Sequence, residues 1–474
     1  MALHDIRPHA HAGSAGGAEA ATGRQAVKLA CNATHVMDAM TRLFPLPPDG
    51  ENRHDGTTHR PVLQRSYAPV PLSFAFGARA IRSLRHRNYA IWASGAVVSN
   101  IGTWMQRTAQ DWFVLTQLTA HDATAVGMTM AFQMAPQLLF LPWTGYAADR
   151  FDRRALLMLT QGMMATLSLG LGILTVCGTA RLWEMYAFAF TFGSVAAFDG
   201  PVRQTFVSEL VGRDDLPNAI ALNSVSFNAG RMLGPVAAGA CIAAVGTGWA
   251  FVLNGLSFIA VLMSLLALDG RTVAPPAKRG ARGLLEGFRY VWRRPDLRTI
   301  VLMLLLIGMF GLNFPLFIST MAVSVFHVGA GRYGLLSACM AVGTMLGAVV
   351  AAGREKVSMA TLRTGALLFG VGCLLAAIAP SYGLFAAALG LVGLATLTFT
   401  TTTNSLMQLS ATPEMRGRVM AIRLAVALGG TPVGAPVVGW VANHAGPRWG
   451  LGLAAASGFA AVLVSLRTRG HPPA

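Results

Sequence analysis

Apolar residues run through this chain in stretches too long and too uniform for the alternation of a half-buried strand or the single stripe of a soluble helix. Ala123–Ala148, Ala155–Ala180, Met232–Leu268, Thr299–Gly331 and Thr364–Pro413 contain no Asp, Glu, Lys or Arg. A helix needs roughly 20 apolar residues to cross about 30 Å of hydrocarbon. Thr364–Pro413 is long enough for two crossings, with Pro380-Ser381 as the turn between them. Lipid offers the backbone no hydrogen-bond partner, so a spanning segment is a helix or part of a closed barrel. Barrel strands are short and alternate; these runs are apolar on every face. The pattern predicts an all-α integral membrane protein with twelve transmembrane helices, at 89–118, 124–148, 155–177, 183–206, 218–245, 248–268, 297–326, 333–352, 362–379, 381–410, 417–441 and 448–466.

The basic residues test that scheme. Alternate loops hold Arg79, Arg82, Arg85 and Arg87; Arg150, Arg153 and Arg154; Arg213; Arg271, Lys278, Arg279, Arg282, Arg289, Arg293 and Arg294; Arg354 and Lys356; Arg416; and Arg467 and Arg469. The opposite loops hold only Arg181, Arg332 and Arg448. The positive-inside rule then predicts cytoplasmic N- and C-termini, which requires an even number of spans.

Composition agrees. Of 474 residues, 12% are charged and 54% hydrophobic, whereas a soluble domain carries about 25% charged residues. A net charge of +17 would suggest nucleic acid in a soluble protein; sorted by membrane side, it argues against that partner. Cys31, Cys177, Cys241, Cys339 and Cys373 show no paired spacing, so neither a disulfide framework nor a metal site is expected.

The chain divides into a tail at 1–80, expected to be disordered; an N-terminal six-helix bundle, 84–268; a central loop, 269–296; and a C-terminal six-helix bundle, 297–468. His4, His9 and His11 sit in the tail and read as solvated residues. An offset of 200 aligns Gly230, Gly234 and Gly239 with Gly430, Gly434 and Gly439. This points to two halves related by a parallel repeat.

Between spans 2 and 3 lies Gly145-Tyr146-Ala147-Ala148-Asp149-Arg150-Phe151-Asp152-Arg153-Arg154. Gly145 would let a neighbouring helix approach closely. Asp149, at the C-terminal end of its helix, is disfavoured by that helix's dipole and makes sense facing the N-terminus of another. The pattern resembles the loop signature of the major facilitator superfamily, Gly-x-x-x-Asp-Arg-x-Gly-Arg-Arg/Lys, with Asp152 in place of the second glycine. Three stretches resemble its bacterial enterobactin-exporter and macrolide-efflux-like branch: Gly102-Thr103-Trp104-Met105-Gln106, Pro413–Ala421, and Gly429-Gly430-Thr431-Pro432-Val433-Gly434. The resemblance spans about residues 84–468 and implies the major facilitator fold, alternating access and a bacterial inner-membrane location. It implies a conformational gate in which Asp149 pairs with the start of span 11, around Arg416 and Arg418, and locks the outward-facing state. It also implies a monomer, and a cavity lined by spans 1, 4, 7 and 10. Gly230, Gly234, Pro235 and Gly239 are similar to the family's antiporter motif, with Ala238 at one glycine position. Pro235 is expected to bend span 5; the same small residues would also serve helix packing alone.

Charges inside spans are costly and normally face a cavity or a partner. Asn100, Trp104, Arg107 and Asp111 share one face of span 1. Arg107 and Asp111, one turn apart, can pair. Asp111 is the candidate proton carrier, or the two form a fixed structural ion pair. Ser224, Asn228 and Arg231 share a face of span 5; Arg231 would hold an anionic substrate or pair with Asp199. Asp199 and Arg203 in span 4 would form a local pair or gate. Asn313 and Pro315 of span 7, and Thr400 and Asn404 of span 10, would join the cavity lining. No P-loop, HExxH or nucleophile elbow is present. No cofactor and no enzymatic activity are expected.

These observations predict a secondary transporter, in a lipid bilayer, using protons to export small amphipathic molecules of drug or siderophore type. An uptake symporter for a polar metabolite is the alternative reading, and a sensor without transport the remote one. Deleting residues 1–75 is expected to leave membrane insertion intact; loss of insertion on fractionation would show that the tail is needed.

Overall fold

In the computed structural model, the described residues are 81–212, 214–269, 284–354 and 356–467. The tail expected at 1–80, most of the central loop and the side chain of Asp149 lie outside them. The described residues form twelve spans. Span 1 is Arg87–Phe113, extended by a π turn at Val114–Leu118; span 2 is Ala123–Leu139 followed by Leu141–Arg150. Spans 3 to 6 are Arg153–Val176, Leu182–Leu210, Leu216–Val245 and Thr247–Leu266. After a short helix, Leu284–Arg293, span 7 comprises Pro295–Phe310, Phe314–Thr320 and a second π turn, Met321–Val325. Spans 8 to 12 are Ala330–Ala352, Met359–Ile378, Tyr382–Ser410, Arg416–His444 and Pro447–Arg467.

Eight candidate spans pass on length and hydropathy; spans 1, 2, 4 and 5 do not. Span 1 carries Arg107 and Asp111, and span 4 carries Asp199 and Arg203. Span 5 combines Arg231 with several polar residues, and span 2 is broken at Phe140, between Pro136 and Pro142. Polar and charged groups lower the apolar signal in spans 1, 4 and 5, and the break leaves span 2 as two helices of 17 and 10 residues.

Polar side chains cap the N-termini of some of the helices. Asp122 accepts from the backbone N–H of Thr124 at 2.8 Å at the start of span 2. Asp152 accepts from the N–H of Ala155 at 2.7 Å at the start of span 3. The residue that departs from the loop signature is thus a helix N-cap, satisfying an orphan donor.

The halves repeat one packing scheme. In the first, span 1 lies against spans 5 and 6, span 3 against spans 4 and 6, and span 2 against span 4. In the second, span 7 lies against spans 11 and 12, span 9 against spans 10 and 12, and span 8 against span 10. Across the seam, span 5 packs on span 8 and span 11 on span 2.

The glycine repeat explains these contacts. A Cβ at Gly234 would sit 2.5 Å from that of Trp104 in span 1; one at Gly430 would sit 2.7 Å from the Gly308 carbonyl carbon in span 7. At Gly239 it would meet the Ala330 carbonyl oxygen at 2.6 Å, and at Gly439 that of Ala123 at 2.5 Å. Gly334 and Gly127 return the contact, against the carbonyls of Pro235 and Ala435. The same offset reaches the following turns, where Gly246 and Gly446 adopt φ of 94° and 101°, a region L side chains enter at a cost. Span 5 continues through Pro235 without interruption.

These cross-seam approaches lie away from the end that carries Arg150, Arg153, Arg154, Arg354, Arg416 and Arg467. At that basic end, Gly145 and Gly417 have no neighbour within 4 Å of a built Cβ. The expectation that Gly145 admits a close neighbour does not hold here, because the halves diverge on its side. The bundle is sealed at one end and splayed at the other.

Replacing Gly334 or Gly127 by Leu is expected to cost about 1–3 kcal/mol through overpacking. It should also admit a thiol reagent from the sealed side to a cysteine placed at Ser337. Unchanged melting temperature and unchanged labelling would contradict this packing.

Candidate functional site

Two cavities follow the axis between the halves. One, of about 400 Å³, lies beneath the seal and is lined by residues that include Trp104, Arg107, Asp111, Gln133, Arg231 and Thr344. The other, of about 580 Å³, lies toward the basic end and includes Asn100, Asp199, Arg203, Ser224 and Asn228. Trp104, Arg107 and Met134 line both, so they form the partition between an inner chamber and a vestibule.

Helical register brings the span 1 residues there. The Arg107 guanidinium carbon lies 5.3 Å from the centre of the Trp104 ring, within cation–π range. Trp104 in turn meets Phe227 of span 5 edge-on, at 5.6 Å between ring centres. Asp111 is 4% exposed. The one-turn ion pair expected between Arg107 and Asp111 does not form: among the described residues neither has an ion-pair partner within 4 Å. The guanidinium is drawn over the indole face, which leaves the carboxylate unpaired. Asn100 donates to Ser226 of span 5 at 2.8 Å. The Gly102–Gln106 stretch meets span 6: Gln106 accepts from Asn254 at 2.7 Å, and a Cβ at Gly102 would meet Ser257 Oγ at 2.5 Å.

Arg231 reaches across the seam and donates to Thr344 Oγ1 of span 8 at 2.9 Å. It does not pair with Asp199. That carboxylate is held in its own half by Arg203 at 3.1 Å, Thr160 at 2.9 Å and Gln161 at 2.6 Å. Asn228 bonds the Ser224 carbonyl at 2.8 Å and faces the vestibule. Two residues expected in the lining are elsewhere. Asn313 is fully buried, donating to the Met309 carbonyl at 2.8 Å, because span 7 breaks at this point and needs the amide to cap the freed backbone. Asn404 lines neither cavity, whereas Thr400 and Pro315 line the inner chamber.

At the basic end, Arg150 lies over the Tyr146 ring at 5.9 Å. Arg153 pairs with Glu209, and Arg154 donates to the Leu266 carbonyl at 3.4 Å. Arg416 donates to the Gln408 carbonyl at 3.1 Å, and Arg418 pairs with Glu286 of the short linker helix at 2.9 Å. Arg416 is thus engaged within the second half and Arg418 by the linker. Outside the spans, Asp215 is held below the usual carboxylate range by the His86 hydrogen bond and by Arg82; this clamps the segment before span 1 to the start of span 5.

Gln133, Tyr333, Thr344 and Arg423 were not singled out from sequence. Arg423 had a signal, as a cation about two turns inside span 11; it donates to the Thr400 carbonyl at 3.4 Å. The others carry no charge and are placed by packing: Tyr333 stacks on Trp112 across the seam, ring centres 5.5 Å apart.

A family described as transmembrane secretion effector matches residues 79–472. The enterobactin exporter of Citrobacter koseri is 26% identical over 364 residues, 74% of this chain and 84% of that one. The staphyloferrin A transporter of Staphylococcus aureus is 26% identical over 326 residues, covering 68% and 81%. A bacterial homologue of the human lysosomal transporter Spinster, solved inward-facing and occupied, superposes with a TM-score of 0.65 at 15% identity, over 81% of this chain and 97% of that one. A bacterial homologue of the iron transporter ferroportin, solved inward-facing, gives 0.64 at 14% identity, over 81% and 99%. The structural likenesses speak to fold, and at that level they agree with the helix packing. The chain is a multi-pass transporter for small molecules, not an enzyme, and it belongs to the transmembrane secretion effector family of the major facilitator superfamily.

Proposed function

We propose that this protein is a proton-coupled exporter of small amphipathic molecules of siderophore type, working by alternating access in the bacterial inner membrane. The observation that carries the reading is the pair of chambers in line, closed at one end by backbone contact and open at the arginine-rich end. By the positive-inside rule the open end faces the cytoplasm, with both termini there and the substrate entering from the cell interior. The named activities of the enterobactin and staphyloferrin A relatives support the substrate type. The fold repeat lets each protein act as a monomer, since both halves of the pathway lie in one chain.

Asp111 is the proton carrier in this scheme. It sits in the inner chamber with no ion-pair partner among the described residues, so its charge is free to change as access alternates. Asp149 with Arg416 and Arg418 forms the cytoplasmic gate, which closes when the halves approach at the basic end. Pro235 and Gly239 hold the opposite seal against span 8, Gly230 and Gly234 pack span 5 on span 1, and together the four serve the antiport motif's role. Asp199 and Arg203 brace the vestibule wall.

Everted membrane vesicles test the reading. Imposing an inward-acid gradient should drive accumulation of an exported siderophore or dye, and Asp111→Asn should abolish the dependence on the gradient while the protein stays folded. Accumulation in right-side-out vesicles instead would make the protein an uptake carrier. Coupling unchanged in Asp111→Asn would remove that residue from the proton path.

A further inference from the structure

The inner chamber carries more positive charge than its lining can neutralise. Two guanidiniums, Arg107 and Arg231, face one carboxylate, Asp111. Among the described residues, none of the three has an ion-pair partner within 4 Å. With Asp111 ionised, the lining keeps one net positive charge; with it protonated, two. An anion is favoured in either state, and a cation in neither.

Hydrogen-bonding capacity points the same way. The hydroxyls of Thr344, Thr396 and Thr400 already donate to their own helix backbone, at 3.0, 2.7 and 2.9 Å. Among the donors that line the chamber, Arg107 Nε and Gln133 Nε2 are buried without a partner among the described residues. Gln133 is only 5% exposed and lines the same chamber. A buried amide donor without an acceptor costs about 1–3 kcal/mol, so the arrangement calls for an oxygen acceptor brought from outside. Arg231 spends one bond on Thr344 and keeps further N–H groups of its fork. Around these donors stand Trp104, Phe314 and Tyr333, with Met130, Met134 and Met340. These are flat and adaptable apolar surfaces.

We propose that the inner chamber is an oxyanion site: it binds a small molecule with a carboxylate or comparable anionic oxygen on an aromatic or apolar body, the oxygen held by Arg231, Arg107 and Gln133. This names the substrate class of the transporter read above and rests on that reading. A volume of about 400 Å³ suits one such group, within the usual range of small-molecule pockets. Arg231 is also a bond across the seam, so the ligand's anion draws on the same side chain that helps hold the halves together.

The test is equilibrium dialysis of the full chain in lipid nanodiscs, with empty discs subtracted, against two probes of one body and opposite charge: 2-naphthoate and (2-naphthylmethyl)trimethylammonium. Saturable retention of naphthoate alone is expected. Arg231→Gln should weaken it about tenfold or more, Arg231→Lys less, and Gln133→Leu by a few-fold, in variants whose melting temperature is unchanged. Saturable retention of the cation, retention of neither probe, or naphthoate binding indifferent to Arg231→Gln and Gln133→Leu would each overturn the assignment. Equilibrium binding has no direction, so an importer of anions would pass this test while failing the vesicle experiment. An exporter of cations would do the reverse.

Discussion

Backbone against backbone, at one end of the bundle, is the contact on which this structure depends. Where span 5 meets span 8 and span 11 meets span 2, the approaching atoms are main-chain carbonyls and glycine Cα atoms. In lipid there is little hydrophobic gain from bringing two helices together, so close van der Waals fit must hold them. Small residues make that fit possible, and they recur at matching places in both halves. The result is a seal built twice from one plan. It leaves the rest of the seam free to separate, and the chambers exist because it does.

Polar groups are distributed to suit that plan. Asp199 is enclosed by three partners inside its own half, so it moves with that half as a rigid part. Arg107, Asp111 and Arg231 stand at or near the seam with few partners. Burying charge is expensive, and a protein that keeps three such groups under-satisfied at one level invests folding stability there. Major facilitator folds host many substrates; in this one the inner chamber gathers its charged and amide side chains from spans 1, 2 and 5, with Thr344 from span 8.

The architecture was legible because it follows from one-dimensional signals: apolar length, arginine sidedness, and glycines at an offset of 200. Span 7 shows where such signals stop. Asn313 looked like a cavity residue because it is polar in an apolar run, yet it repairs a break in its own helix. Helical periodicity says which side chains share a face, not which way a broken helix turns. Gln133 and Thr344 were overlooked for a complementary reason: uncharged residues in a span stand out only once packing shows that the amide nitrogen of one lacks a partner among the described residues and the other receives an arginine from the opposite half. Asp152 looked like a departure from a signature, and its hydrogen bond to Ala155 shows a cap.

The linker helix Leu284–Arg293 has a reach beyond joining two bundles. Through Glu286 it neutralises Arg418 at 2.9 Å, at the mouth of span 11, while Gly287 and Val291 seat it against the same half. Any acidic group from the first half that seeks Arg418 meets a resident rival. An exposed pair of this kind is worth under about 1 kcal/mol, a several-fold bias in a two-state population. In the proposed gate the tether is therefore a weight on the balance, one that a change of a single charge would tune without touching either chamber.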